Sequence, residues 1–141
     1  MTVTVPANYK PTEKEAYMNP VMLAYFQHKL LEWKAEIVRE ADMLLHELQA
    51  EGGMQEPDIT DRASIETDVA LEFRTRDRQR KLISKIDEAL ERIERGEYGF
   101  CEETGEPIGV KRLEARPVAT LSVEAQERHE RLERTHRDER E

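Results

Sequence analysis

Residues 55–81, QEPDITDRASIETDVALEFRTRDRQRK, decide how the rest of the chain is read. The stretch opens on a Pro-containing turn with two acids, Asp58 and Asp61. An acidic helix start follows, with Glu66, Asp68 and Glu72, and then an arginine-rich run of Arg74, Arg76, Arg78, Arg80 and Lys81. Segments with helical apolar spacing flank it on both sides. The turn is therefore expected to be the tip of an antiparallel helical hairpin that the rest of the chain holds out.

Upstream, Asn19-Pro20 is a helix entry, because Asn caps free amides and Pro is tolerated at the first helical position. Leu23, Phe26, Leu30, Trp33, Ile37, Ala41, Leu44 and Leu48 then recur at steps of three and four, and Gly52-Gly53 ends the run. The returning helix is expected to begin near Asp61 or Ser64. It shows Ile65, Val69 and Phe73, then Ile83, Ile86, Leu90 and Ile93, with the charged run between, and Gly96 closes it. Neither helix alone is secure in water, so each needs the other's apolar face, as in a coiled coil. The cations of residues 74–81 cannot all face away on a helix turning about 100° per residue, so some must meet the partner helix or a docking surface.

Outside the hairpin the character changes. Residues 1–18 read as a poorly anchored lead-in with Pro6 and Pro11. Residues 96–121, GEYGFCEETGEPIGVKRLEARPVATL, place glycines and prolines around short apolar pieces, which predicts a small β-hairpin or knuckle. A last helix is expected from Ser122 through the charged run to Glu141. The fold class is thus mainly α, with a hairpin over 19–95 (tip near 52–64), a small globular knuckle over 96–121 and a C-terminal helix over 122–141.

Charged and hydrophobic residues each make up 38% of the 141 residues, a balance that suits long exposed helices better than one globule. A formal net charge of -9 argues against a free-standing nucleic-acid binder, so direct sequence-specific DNA binding is not expected. A partner that itself handles nucleic acid is still compatible. The single cysteine, Cys101, rules out an internal disulfide framework. With no apolar signal core and no run of transmembrane length, a soluble, cytoplasmic protein without membrane association is expected. No phosphate-cradling glycine loop and no nucleophile beside a base is evident, which argues against an enzyme.

Three of the segments above also carry a resemblance. DITDRAS (58–64), RDRQRKLISKI (76–86) and YGFCEETGEPIGVKRLEARP (98–117) together resemble DksA-type transcription factors, over roughly Met18 to Ala125. The resemblance implies a monomeric factor of the stringent response that binds RNA polymerase in its secondary channel. Its coiled coil would point at the active centre and its acidic tip would alter promoter-complex stability, commonly together with ppGpp. It implies a tip function for Asp58, Asp61 and Ala63, where the plainer reading of the acids is helix capping. Arg78 matches the contact with the polymerase rim, with Arg74 and Lys81 as neighbours; the plainer reading is a solvated face. Leu82, Lys85 and Arg116 match the ppGpp site, against ordinary helix packing and surface basicity. A further basic position of that site is Gln126 here.

The family's usual zinc finger has four cysteines, and the matching positions are Cys101, Thr104, Ser122 and Ala125. One thiolate, two neutral hydroxyls and a methyl group cannot make a tetrahedral thiolate site. His129 and His136 do not restore a ligand set at familiar spacing. No zinc is expected, as in the cysteine-poor, zinc-independent branch. Burial of Phe100, Ile108, Val110, Leu113, Val118, Leu121 and Val123 would have to stand in for the metal, with Ser122 serving as a helix cap. Cys101 reads as a buried remnant, Phe26 and Trp33 as packing, and His28 and His46 as ordinary helix residues. Two other functions fit the pattern: a Gre-like factor whose tip acids promote transcript cleavage, and a structural hairpin adaptor that never meets polymerase.

Overall fold

In the computed structural model the described residues form four helices: α1 (Pro20–Glu51), α2 (Ile59–Arg95), α3 (Val110–Ala115) and α4 (Val123–Arg140). The structure describes residues 3–51 and 59–140, apart from the side chains of residues 48, 51, 59–65 and 137–140. Among the described residues there is no β-strand, and the knuckle expected near residue 100 holds one isolated antiparallel bridge, Phe100 with Pro107. The fold is mainly α, as the apolar periodicity requires.

The helix ends follow from local chemistry. Asn19 Oδ1 accepts the Met22 N–H at 2.9 Å, and the Asn19 carbonyl accepts the Leu23 N–H at 2.9 Å, so Asn19 caps α1 with Pro20 at the first helical position. At the end of α2, Gly96 adopts φ 74°; its N–H reaches Ile93 O at 3.2 Å and the Glu97 N–H reaches Arg92 O at 2.9 Å. This is a Schellman closure, and the left-handed φ is what calls for glycine. α2 begins at Ile59, earlier than Asp61 or Ser64, since neither Ile59 nor Thr60 resists helical backbone. Gly52 and Gly53, the expected end of α1, lie outside the described residues.

Two compact units result, one of residues Met1–Leu30 with Glu88–Glu141, the other of residues Leu31–Asp87. In the second unit α1 turns Trp33, Ile37, Ala41 and Leu44 from solvent. α2 turns away Glu72, Thr75, Arg76, Gln79, Leu82, Ile83 and Ile86, again at steps of three and four. An ion pair from Lys34 Nζ to Asp87 Oδ1 at 2.7 Å ties the two helices together. The expected stripe on the outer part of α2 is displaced. Val69 is 37% exposed and Phe73 65%, whereas Glu72 and Gln79 occupy the seam. Repeated steps of four advance about 40° past a full turn each time, so 65-69-73 drifts off a seam that alternates three and four.

The first unit is an aromatic core. Phe26, Leu30, Met22 and Leu113 are fully buried and Tyr98 is 2% exposed, with the Phe26 ring edge-on to Tyr25 at 5.2 Å and tilted against Tyr98 at 5.7 Å. The lead-in is not loosely held. Pro11 is buried and the Tyr9 ring packs edge-on to Tyr25 at 5.8 Å. The Tyr17 hydroxyl donates to Gly99 O at 2.6 Å and accepts the Gly109 N–H at 3.0 Å. The helix α3, six residues after Gly109, was not foreshadowed by the turn-rich composition of the knuckle.

Candidate functional site

Four of the residues singled out from the sequence share one face of α2. Arg74, Arg78, Lys81 and Lys85 are all exposed, at spacings of four, three and four, which on a helix is a single outward line. Lys81 Nζ lies 3.1 Å from Asp77 Oδ2, an exposed pair that leaves its charge accessible. Arg76 turns the other way. Its Nη2 is 3.2 Å from Glu72 Oε1 and its side chain is half-buried toward the seam, while Arg80 lines a groove on the same side. The arginine run is thus divided between an outward line and the flank of the seam.

The remaining expected positions are dispersed. Asp58 lies outside the described residues; Asp61 and Ala63 fall in the first turns of α2, with side chains outside the description. Leu82 is half-buried on α2, one residue beyond Lys81. Arg116 follows α3 in the other unit, exposed, its N–H bonded to Arg112 O at 2.7 Å. Gln126, on the first turns of α4, reaches Glu130 at 3.4 Å.

The four finger positions do come together, and they do not fit a zinc ion. Cys101 is 3% exposed. Burial pushes its thiol up, but the Thr104 hydroxyl and the backbone N–H groups of Ser122, Thr104 and Glu103 outweigh that and bring it down to about 6. Ser122 Oγ is committed to α4, accepting the Ala125 N–H at 3.2 Å. Thr104 Oγ1 accepts the Glu106 N–H at 3.3 Å, and Ala125, with no donor, is fully buried. Among the described residues no group of three or more His, Cys, Asp or Glu side chains is placed to hold a metal. His129, on α4, instead pairs with Glu103 of the knuckle.

Hydrogen bonds and an ion pair do the fastening. Arg92, at the end of α2, donates from Nη1 to Glu102 Oε1 at 2.8 Å and from Nη2 to Phe100 O at 2.7 Å and Glu97 O at 3.2 Å. Its side chain is 11% exposed, so these are charge-assisted bonds in a shielded setting. Arg112 Nε donates to Leu121 O at 3.0 Å and the Tyr98 hydroxyl to Pro117 O at 2.7 Å. Burial raises the Tyr98 hydroxyl well above the usual phenol range, so it remains a donor. Beneath them Ile108, Val110, Leu113 and Val118 are buried; Phe100 and Leu121 are half-buried. Val123, counted from the sequence as core, is 50% exposed because it is the first residue of α4 and faces outward. Arg92, Arg112, Tyr17 and Tyr98 escaped the sequence reading. The one signal was a buried-type aromatic, Tyr98, two residues after the helix-closing Gly96.

Comparison with known proteins agrees with this anatomy. Residues 22–93 match the family described as DnaK suppressor protein DksA, N-terminal domain, and residues 96–131 match the prokaryotic dksA/traR C4-type zinc finger. The second match holds although Cys101 is the single cysteine of the chain. The RNA polymerase-binding transcription factor DksA of Caulobacter vibrioides is 64% identical over 132 residues, 94% of this chain and 92% of that protein. The protein of the same name from Escherichia coli K12 is 41% identical over 116 residues, 82% of this chain and 76% of that one. Among solved structures, transcription factor DksA2 from Pseudomonas aeruginosa superposes with a TM-score of 0.77 at 44% identity, over 84% of this chain and 91% of its own. With an acid-and-arginine hairpin, a knuckle of this sequence and curated relatives matched over 76% and 92% of their length, the chain belongs to the DksA family, in a branch whose finger has lost its zinc ligands.

Proposed function

We propose that this chain is a non-enzymatic transcription regulator that binds RNA polymerase by inserting its helical hairpin into the secondary channel. The observation that carries the reading is the outward line Arg74, Arg78, Lys81 and Lys85 on α2, in a chain of a family whose relatives are named RNA polymerase-binding factors. A planar guanidinium bonds carboxylates in bidentate fashion, so the line suits an acidic rim. Arg78 makes the central contact, with Arg74 and Lys81 beside it. An overall charge of -9 leaves polymerase, rather than DNA, as the partner.

At the tip, Asp58 and Asp61, with Ala63, act on the promoter complex. Near a polymerase active centre a carboxylate repels acidic groups, accepts hydrogen bonds or perturbs a bound magnesium ion. ppGpp joins at the factor–polymerase junction, where Leu82, Lys85 and Arg116 contribute and polymerase completes the pocket. Gln126 removes one positive charge from that set, which lowers ppGpp affinity without affecting docking. Binding of the purified chain to polymerase, followed by transcript cleavage in backtracked complexes, tests the reading. Binding without cleavage is expected. Stimulated cleavage would make it a Gre-like factor, and absence of binding would make it an adaptor.

A further inference from the structure

α1 carries a second apolar row outside the seam. Leu31, Val38 and Leu45 repeat every seven residues and stand 46%, 42% and 40% exposed. Such a row holds one heptad position, so it runs straight along a coiled helix. α2 carries a row of charge at the same spacing, Arg80 and Asp87. A groove lined by Asp42 and Leu45 of α1 and by Arg76, Arg80 and Ile83 of α2 puts both rows on one broad side of the hairpin. The line Arg74, Arg78, Lys81 and Lys85 is on the other side, since Arg78 lies about 160° round α2 from Arg80.

The two rows share one centre. The ion pair of Lys34 with Asp87 sets those residues level, and in an antiparallel pair each step along α1 is a step back along α2. Val38, four residues beyond Lys34, is therefore level with Ile83, four before Asp87. The midpoint of Arg80 and Asp87 falls between Ile83 and Ser84, at that same level. Turned end over end about this level and laid on itself, the side sets Leu31 against Leu45, Val38 against Val38 and Arg80 against Asp87. That is the self-complementary pattern of an interface with a two-fold axis. The charges are open to it. Arg80 is exposed and no carboxylate among the described residues pairs with it, while Asp87 holds Lys34 through Oδ1 and keeps Oδ2.

From this we infer that the side of the hairpin turned away from the cation line is a docking surface for a second copy of this chain. The two hairpins lie antiparallel about an axis through Val38, α1 on α1 and α2 on α2, as the layers of a four-helix bundle. Leucine and valine exclude water along one track, and two Arg80–Asp87 contacts fix the register along the other. Three apolar side chains from each copy make a small interface, so the association is weak and reversible. The monomer that the resemblance implies is its dilute form. A paired hairpin is twice as thick as a single one, so pairing competes with insertion into a channel. This last consequence rests on the docking role proposed above; the pairing does not.

Sedimentation equilibrium of the full chain over a rising concentration series tests the inference without any polymerase. A reversible monomer–dimer equilibrium is expected. Val38→Lys sets two ammonium groups face to face on the axis and should abolish the dimer, and because Val38 is partly exposed its thermal melt should match that of the dilute wild type. Arg80→Asp alone faces acid with acid, and Asp87→Arg alone faces cation with cation; each should weaken self-association at least about tenfold, since the contact occurs twice. Mixing those two variants should restore dimerisation, because both contacts are then matched in the mixed pair. A chain that stays monomeric throughout would leave the row to another partner and overturn the inference. So would a dimer that tolerates Val38→Lys, or charge variants that fail to rescue each other. Failure to bind polymerase would leave all of these results unchanged and would count only against the docking role.

Discussion

Arg92 Nη2 lies 2.7 Å from the carbonyl oxygen of Phe100, so a cation at the end of a helix grips the turn that carries Cys101. The same guanidinium reaches Glu97 O and the Glu102 carboxylate, so three contacts gather residues 97–102 at the start of the matched finger. A charged fork fastens this turn. Arg suits this place because it is permanently charged and geometrically rigid, and its own side chain is only 11% exposed.

Replacing Arg92 by Met removes the fork while keeping its apolar stem. The expected cost is about 2–4 kcal/mol of unfolding free energy, as for the loss of charge-assisted bonds to shielded acceptors. Arg92→Lys should recover only part of it, since an ammonium cannot reach both carbonyls and the carboxylate at once. Urea unfolding of the three proteins checks this. Equal stability would mean the knuckle is held by its apolar core alone.

The finger should be indifferent to chelators. Strong chelation is expected to leave the wild-type melting curve in place. The triple variant Thr104→Cys, Ser122→Cys and Ala125→Cys should bind one zinc ion and melt lower when chelated. A chelator-sensitive wild type would refute the account of the knuckle.

Cys101 should link stability to pH. Its thiol titrates at about 6 when folded against 9.0 as the ordinary value, so the folded state holds the thiolate more readily than the unfolded chain does. The contribution is fully present above the unfolded value and is lost as pH falls through the folded one. The melting-temperature gap between wild type and Cys101→Ala should therefore widen as pH rises from about 6 to about 9. A gap that stays constant over that range would mean the thiol is not ionised in the fold.

Tyr17→Phe deletes a hydroxyl that bridges Gly99 O and the Gly109 N–H. About 1–3 kcal/mol should be lost, because the Gly109 N–H loses its partner while Gly99 O keeps only the Ile108 N–H. Hydrogen exchange at the Gly109 amide should quicken specifically. Unchanged protection there would show that the lead-in does not fasten the knuckle.

Much of this is legible in the amino-acid sequence itself. Asn19-Pro20 and Gly96 are local signals whose chemistry acts within one turn, and both ends fall where they indicate. The loss of zinc ligands at Thr104, Ser122 and Ala125 is likewise a property of side chains alone. What stayed hidden depends on distant partners. Nothing near Arg92 or Tyr17 in sequence announces that one grips Phe100 and the other Gly109. The exposure of Phe73 was misjudged because a run of four-residue steps resembles a seam over two turns and departs from it over three. The six-residue α3 was lost among turn residues that surround it.

The central claim is that the acidic tip of this hairpin acts on transcription while the helix behind it does the docking. Lifetimes of promoter complexes formed by purified polymerase test it most directly, with wild type and Asp61→Asn compared with and without ppGpp at matched polymerase occupancy. The account predicts that the wild-type chain shortens the lifetime and that ppGpp deepens the effect. Asp61→Asn should bind polymerase with nearly unchanged affinity and leave the lifetime close to that of polymerase alone. An Asp61→Asn protein that shortens lifetimes as the wild type does, or one that loses binding and effect together, would contradict it.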